Sequence, residues 1–125
     1  MKILILEDEK TIRNALRFAL KKAGHDVQEY ENPLKAAEMF DKTRFDLLIV
    51  DLMLPHLPGY EFISMLQSRR QLVPTIVLTS HPETARELID FEALNDIKLE
   101  IISKDLPFRT IIERIQHFLM PIYTK

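Results

Sequence analysis

Short apolar segments alternate with helix-like patterns five times along the chain, and this alternation restricts the possible folds more than any other feature. Five segments have the length and the largely continuous apolar character of strands buried on both faces of a parallel sheet. They are residues 3–6, 26–30, 45–50, 75–78 and 98–102. No repeat or low-complexity linker divides the chain. We therefore predict five βα units in a single domain that spans residues 1–125.

The helical segments between the strands carry recognisable start and stop signals. Gly24 can end the first helix in a left-handed conformation, and Asn32 can cap the second helix, with Pro33 in its first turn. Gly59 begins the third helix, and Pro121 is predicted to end the fifth. The residues predicted to face the core are Ile12, Ala15, Leu16 and Ala19 in the first helix, Leu34, Ala37 and Phe40 in the second, Phe62, Ile63 and Leu66 in the third, Ala85, Leu88 and Ile89 in the fourth, which spans residues 82–91, and Phe108, Ile111, Ile112, Ile115 and Phe118 in the fifth.

Composition excludes several classes of partner and site. The formal net charge of −2, from 17 basic and 19 acidic residues, provides no basic patch for direct nucleic-acid binding. The absence of cysteine excludes disulfides and thiolate metal sites and is consistent with a reducing compartment. The apolar runs are too short to span a bilayer, and the first one reaches Glu7 at once, unlike a signal peptide. We expect a cytoplasmic protein without a membrane partner.

Charged and hydroxyl residues follow four of the five predicted strands. They are Glu7-Asp8-Glu9, Asp51, Thr79-Ser80 and Ser103-Lys104. Right-handed crossovers place helices on both sides of a parallel sheet, and the ligand crevice of such a sheet lies beyond the carboxyl ends of its strands. Carboxylates gathered there repel one another unless a cation with oxygen ligands relieves them, and Mg²⁺ fits that requirement. A lysine opposite them supplies a compact positive charge for a phosphoryl group.

Each of these residues also has an ordinary explanation. The acidic residues after the first strand could cap the first helix, Thr79 or Ser80 could cap the fourth, and Lys104 could be a solvated lysine. Asp51 is harder to explain in this way, because an ionised group directly after four apolar residues needs a partner. The four histidines lie in unrelated segments without ligand spacing, so we predict no metal site from them.

The whole chain resembles the CheY-like receiver domain of two-component response regulators. The matching segments are the acidic pair Glu7-Asp8 after an apolar strand, the segment 51–59 (DLMLPHLPG), the segment 74–80 (PTIVLTS) and the pair Ser103-Lys104. The resemblance implies a doubly wound α/β fold, a flavodoxin-like three-layer sandwich whose five parallel strands are ordered 2-1-3-4-5. It also implies a signalling phosphoprotein that assists its own phosphoryl transfer and hydrolysis, rather than an enzyme.

The resemblance assigns roles to individual residues. Asp51 would be the phosphoacceptor, and Glu7, Asp8, Asp51 and the backbone carbonyl of Met53 would hold Mg²⁺. Lys104 would bond one phosphoryl oxygen, and the Thr79 hydroxyl would move to bond another.

The sequence departs from the family pattern in three places. Receivers usually carry an aromatic residue three positions before the lysine, where this chain has Ile101, and a proline after the lysine, where it has Asp105. A cis peptide at Lys104-Asp105 would cost about 3 kcal/mol, so we predict a trans bond. Residues 79–104 form a longer stretch than usual, and residues 91–98 should form a modified connection.

Partners follow from the same resemblance. A sensor histidine kinase or a histidine phosphotransfer protein would supply the phosphoryl group. Because few residues follow Pro121, we expect no effector domain in this chain, so output would pass through the fourth helix, fifth strand and fifth helix to a downstream protein or a homodimer partner. One alternative is a pseudo-receiver that binds partners without phosphorylation. Another is a small α/β enzyme or nucleotide-binding domain. With only two glycines the chain has neither a glycine-rich loop to hold a pyrophosphate nor a nucleophile elbow, which argues against this alternative.

Overall fold

The protein alternates strands and helices from beginning to end. The computed structural model describes residues 1–123, and the side chains of residues 1–120. The strands are β1 (Lys2–Leu6), β2 (Asp26–Tyr30), β3 (Leu47–Asp51), β4 (Thr75–Thr79) and β5 (Leu99–Ser103). The helices are α1 (Lys10–Lys22), α2 (Pro33–Lys42), α3 (Gly59–Ser68), α4 (Pro82–Leu88) and α5 (Phe108–Tyr123), with a short 3₁₀ helix at Glu92–Leu94.

The strands form one parallel sheet in the order β2-β1-β3-β4-β5. The strand order reverses between β1 and β3, which lie side by side with Ile3 opposite Leu47 and Leu6 opposite Val50. The carboxyl ends of β1 and β3 therefore lie together at the switch point of the sheet. The predicted α/β fold and its strand order are confirmed.

The sheet separates two apolar cores. Leu4 and Leu6 of β1 face α2, α3 and α4, where the largest buried side chains are aromatic. Ile3 and Ile5 face α1 and α5 on the other side. This alternation follows from the period of two residues along a strand. The helix residues buried in the first core include Ala36, Phe40, Phe62, Leu66, Ala85 and Ile89, and those in the second include Leu16, Leu20, Ile111, Ile115 and Phe118.

Helix ends confirm some predicted signals. Gly24 has φ of +97°, so it adopts the left-handed conformation that ends α1. The side chain of Asn32 accepts a hydrogen bond from the backbone N–H of Leu34 at 2.9 Å, so it caps α2. Pro121 does not end α5, because the helix continues to Tyr123. Proline has a helical φ and removes only one backbone hydrogen bond, so the last turn can continue past it.

Three residues predicted to face the core are exposed. Leu34 is 71% exposed, because the covered face of α2 is centred on Ala36 and Phe40, and Leu34 lies about a third of a turn from Phe40. Leu88 is exposed at the last residue of α4, and Phe108 at the first residue of α5. Helix ends reach beyond the sheet that would cover them.

Two predicted boundaries were also wrong. The helix predicted for residues 82–91 ends at Leu88, and the chain then turns so that Leu94 packs in a 3₁₀ helix. The third strand begins at Leu47 rather than at Phe45, although Phe45 is buried against Phe40, with ring centroids 5.1 Å apart. Within residues 1–123, no helix has the length and apolar character needed to cross a bilayer.

Candidate functional site

Glu7 lies directly after β1 and is almost fully buried, with 1% of its surface exposed. Its backbone N–H donates to the carbonyl of Tyr30 at 3.1 Å, which extends the pairing of β1 with β2 by one residue. One carboxylate oxygen, Oε2, accepts a hydrogen bond from the backbone N–H of Glu9 at 3.0 Å. The acidic segment therefore begins inside the sheet and bends back on itself before α1.

Asp51 is the last residue of β3, and every residue of that strand is buried. Its Oδ1 atom accepts a hydrogen bond from the backbone N–H of Met53 at 3.1 Å, which places the Met53 backbone beside the carboxylate. The role predicted for the Met53 carbonyl stays a prediction. Since β3 is central in the sheet, Asp51 stands at the middle of the crevice.

Gly59 allows α3 to begin against the end of β3. Its backbone N–H donates to the carbonyl of Leu52 at 2.6 Å. A side chain at this position would collide with the backbone carbonyl of Asp51. The sequence suggested glycine for a turn, whereas the structure shows that a close approach of two backbone segments requires it.

Lys104 follows β5 and extends into the acidic crevice, where its side chain is only 7% exposed. Its backbone N–H donates to the carbonyl of Thr79 at 2.8 Å, which continues the pairing of β5 with β4. The ammonium Nζ lies 2.8 Å from Oδ2 of Asp51 and 2.9 Å from Oε1 of Glu7. It also lies 3.7 Å from Oε1 of the exposed Glu9. The alternative of a solvated lysine is wrong.

Burial and the contacts between charged groups together set the pKa values in this cluster. Burial, with a smaller contribution from the charge of Asp51, raises the pKa of Glu7 to about 7 against the opposing effects of Lys104 and the Glu9 N–H. Burial alone would lower the pKa of Lys104, but its hydrogen bonds and charge interactions with Asp51 and Glu7 outweigh burial, so the pKa is raised. Lys104 is therefore charged at neutral pH, and one ammonium faces an excess of carboxylates.

Three carboxylates converge closely enough to hold a metal ion. Glu7, Asp8 and Asp51 each place one oxygen within 4.8 Å of the others, and Asp8 is the exposed member. Oε1 of Glu7 is buried without a hydrogen bond of normal angles, although the Lys104 ammonium is 2.9 Å away. An incompletely satisfied carboxylate oxygen among other oxygen ligands suits a hard divalent cation such as Mg²⁺.

Thr79 ends β4 and is also buried, with 1% of its surface exposed. Its hydroxyl oxygen accepts a hydrogen bond from the backbone N–H of His81 at 2.9 Å. His81 is the N-cap residue of α4, so neither Thr79 nor Ser80 occupies the predicted cap position. The structure thus places Thr79 at the same sheet edge as Asp51 and Lys104.

The structure shows how the chain packs and turns at the two positions near Lys104 where it departs from the family pattern. Ile101 is half-buried and packs against the core on the side of α2, α3 and α4. The peptide bond between Lys104 and Asp105 is trans, as predicted. The backbone N–H of Asp105 donates to the hydroxyl of Ser103 at 3.1 Å, which stabilises the turn after β5 without a proline.

Some contacts at the site were not apparent from the sequence, although Glu9 already stood among the acidic residues after the first strand. Glu9 is the N-cap residue of α1, but its side chain makes no capping hydrogen bond. Arg13 of α1 donates to the backbone carbonyl of Glu7 at 2.9 Å. Asp8 and His56 line one small pocket beside the site. A sequence pattern shows none of these contacts, because each depends on how the loop before α1 folds against β2 and β3.

Comparison with known protein families agrees with this architecture. The model of the response regulator receiver domain matches residues 3–116. The response regulator MprA of Mycobacterium leprae is 29% identical over 119 residues, which cover 95% of this chain and 51% of that protein. The transcriptional regulatory protein ResD of Bacillus subtilis is 31% identical over 118 residues, covering 94% of this chain and 48% of ResD. The chain spans about half the length of these relatives.

Solved structures show the same fold. The chemotaxis response regulator CheY4 of Vibrio cholerae superposes with a TM-score of 0.79 at 26% identity, over 94% of this chain and 98% of that one. The response regulator TrrA of Thermotoga maritima, solved in complex with Mg²⁺ and BeF, gives 0.73 at 25% identity over 94% and 98% of the two chains. The chain described here belongs to the response regulator receiver domain family of two-component signalling systems.

Proposed function

We propose that this receiver is a phosphoacceptor in which Asp51 takes a phosphoryl group from a sensor histidine kinase or a histidine phosphotransfer protein. The observation that carries the proposal is the position of the Asp51 carboxylate, 2.8 Å from the Lys104 ammonium and grouped with oxygens of Glu7 and Asp8. The buried Asp51 carboxylate thus has a counter-charge in Lys104 and, together with Glu7 and Asp8, forms a candidate cation site. TrrA, a relative of the same fold, was solved with Mg²⁺ and BeF.

The proposed reaction forms one bond and breaks one bond at phosphorus. A carboxylate oxygen of Asp51 attacks phosphorus as the bond from phosphorus to the donor nitrogen breaks, and the departing imidazolate nitrogen takes a proton from solvent to become neutral imidazole. Asp51 needs no general base, because it reacts in its ionised form. Lys104 bonds one phosphoryl oxygen, and the Thr79 hydroxyl leaves the His81 amide to bond another. Hydrolysis of the phosphoprotein would then restore the carboxylate.

Glu7, Asp8, Asp51 and the backbone carbonyl of Met53 would hold Mg²⁺. The bound ion would neutralise charge on the transferring phosphoryl group. Lys104 would then change partner: its ammonium donates a hydrogen bond to Asp51 and forms an ion pair with Glu7 in the structure described here, and it would bond a phosphoryl oxygen in the product. The oxygen donors present and the buried position of Glu7 support this assignment.

Incubation of the protein with a small-molecule phosphodonor and Mg²⁺ tests the proposal. We expect intact mass spectrometry to show the addition of one phosphoryl group, which is absent in Asp51→Asn and absent when Mg²⁺ is chelated. Asp46→Asn is the matched control, because Asp46 precedes the same strand at its opposite end and should leave phosphorylation unchanged. Modification of the Asp51→Asn variant, or none in the wild-type protein, would contradict the proposal.

A second candidate function is a pseudo-receiver that binds partners without phosphorylation. Ile101 favours it, because an aliphatic side chain replaces the ring that usually changes position in receivers. The phosphodonor experiment separates the two functions, since an interaction module would gain no mass.

Output from the phosphorylated form would pass through the surface made by α4, β5 and α5. These elements are adjacent, and β5 is an edge strand of the sheet. A downstream protein or a second copy of the chain could contact this surface. Analytical ultracentrifugation with and without phosphodonor would show whether the second copy is the partner, because only that case gives phosphodonor-dependent dimers. In both cases, binding at this surface should be lost in Asp51→Asn.

A further inference from the structure

We infer that Arg13 is a positioning residue for the acidic segment of the proposed metal site, an inference that rests on the proposed function. Arg13 lies in α1 outside the carboxylate cluster, and its side chain is 13% exposed. Its guanidinium donates from Nη1 to the backbone carbonyl of Glu7 at 2.9 Å. Arg13 therefore holds the backbone of Glu7, the residue that contributes a buried carboxylate to the site.

The Glu7 peptide is held from two directions. The backbone N–H of Glu7 donates to the Tyr30 carbonyl of β2, and its carbonyl accepts from Arg13. The carbonyl of Glu7 belongs to the peptide unit that leads into Asp8. Fixing that unit restricts both the direction of the Glu7 side chain and the path of Asp8, the two acidic members of the cluster that come from this loop.

The guanidinium is itself held by acidic residues of β2 and the loop after it. Its Nε lies 3.7 Å from Oε2 of Glu29, and its Nη1 lies 3.7 Å from Oε2 of Glu31. Arg17, one turn further along α1, pairs with the other oxygen of Glu29 at 3.0 Å. Arg13 thus connects the end of β2 to the loop that carries the site, whereas Arg17 contacts only the β2 side of this network.

The direction in which Mg²⁺ affinity changes when Arg13 is replaced distinguishes a positioning role from a purely electrostatic one. Removing a positive charge near a cation site should, by itself, make Mg²⁺ bind more tightly. Removing a group that orients the ligands should make Mg²⁺ bind more weakly, and loss of such supporting contacts weakens metal binding by about 10-fold to 100-fold. The two explanations therefore predict opposite changes in the dissociation constant.

The experiment compares Arg13→Met with Arg17→Met, because methionine keeps the apolar stem of arginine and each variant removes one charge from the same helix face. Isothermal titration calorimetry measures Mg²⁺ binding to the full chain. We expect the dissociation constant to rise about 10-fold in Arg13→Met and to stay equal or fall slightly in Arg17→Met. Thermal unfolding of both variants without Mg²⁺ controls for loss of fold.

Hydrogen exchange gives a second readout that does not depend on metal. The Glu9 amide is bonded to Oε2 of Glu7, so its exchange reports the position of that side chain. We expect faster Glu9 exchange in Arg13→Met than in Arg17→Met. Unchanged exchange, or Mg²⁺ binding as tight as in the wild-type protein, would overturn the inference about Arg13. Failure of the wild-type protein to bind Mg²⁺ would instead contradict the proposed function, while the exchange comparison would still decide the role of Arg13.

Discussion

Replacing Glu7 with glutamine should stabilise the metal-free protein at neutral and alkaline pH. Glutamine keeps the shape of the side chain but cannot ionise, so it removes the penalty of holding a charged carboxylate in a buried position. Burial raises the pKa of Glu7 from 4.5 to about 7 in the folded protein. The folded state therefore binds the proton more tightly than the unfolded state. The stability contributed by this carboxyl is complete below pH 4.5 and is lost as the pH rises through 7.

The size of the effect follows from the two pKa values. Their separation corresponds to about 3 kcal/mol at about 1.4 kcal/mol per pH unit. We expect Glu7→Gln to exceed the wild-type protein in free energy of unfolding by up to about 3 kcal/mol at pH 8, and by less than about 1 kcal/mol at pH 5. The favourable interaction of Glu7 with Lys104 is already contained in the pKa of about 7, and Lys104 keeps Asp51 as a partner in the variant.

Urea unfolding followed by circular dichroism, at a series of pH values with a chelator present, measures this difference. Glu9→Gln is the control, because Glu9 lies 3.7 Å from the same ammonium but its side chain is 57% exposed. We expect that variant to follow the wild-type pH profile. Added Mg²⁺ should stabilise the wild-type protein more than Glu7→Gln, since only the former keeps all three carboxylates. A difference between Glu7→Gln and wild type that does not change with pH would refute the argument.

Three further predictions follow from the described contacts. Gly59→Ala should lower the free energy of unfolding by about 1–3 kcal/mol and slow phosphorylation, because the added methyl group meets the Asp51 carbonyl; urea unfolding and mass spectrometry measure the two effects, and an unchanged protein would contradict the close approach. His56→Gly should raise the free energy of unfolding by about 1 kcal/mol in the same urea assay, because His56 holds a left-handed φ of 72°; a lower value would count against backbone strain at this position. Phe40→Ala should destabilise the protein by about 3–5 kcal/mol, whereas Leu34→Ser should change stability by less than about 0.5 kcal/mol; equal losses in thermal or urea unfolding would mean that α2 packs by a different face.

Three of the strands were predictable because they are nearly continuous apolar runs, whereas their order followed from the resemblance to receiver domains. Burial on both faces produces that pattern in the central strands, and it is visible without knowledge of the neighbours. The edge strand β2 is only partly buried, and it was found through its β-type residues and its place in the alternation. Most errors lie at helix ends, at Leu34, Leu88, Phe108 and Pro121, because the covered face and the last turn of a helix depend on what packs against them.

The site was predictable to the level of which strand ends meet. Parallel strands place their carboxyl ends at one edge, so Glu7, Asp51 and Lys104 could be expected there. The sequence could not show that Lys104 lies within ion-pair distance of both carboxylates, because those contacts depend on the turn after β5. The roles of Arg13 and Gly59 depend on contacts with backbone carbonyls. Because every residue has a carbonyl, the sequence does not show which carbonyl is contacted.

The ammonium of Lys104 comes from the last βα unit, whereas the carboxylates it neutralises come from the first and the third. A nascent chain that has left the ribosome only as far as β4 would hold the acidic side chains of Glu7 and Asp51 at one edge without their counter-charge. Bringing two such carboxylates out of water is unfavourable until that charge arrives. The acidic edge can therefore close only after synthesis has passed Lys104, and a version truncated before Lys104 should remain partly hydrated at that edge.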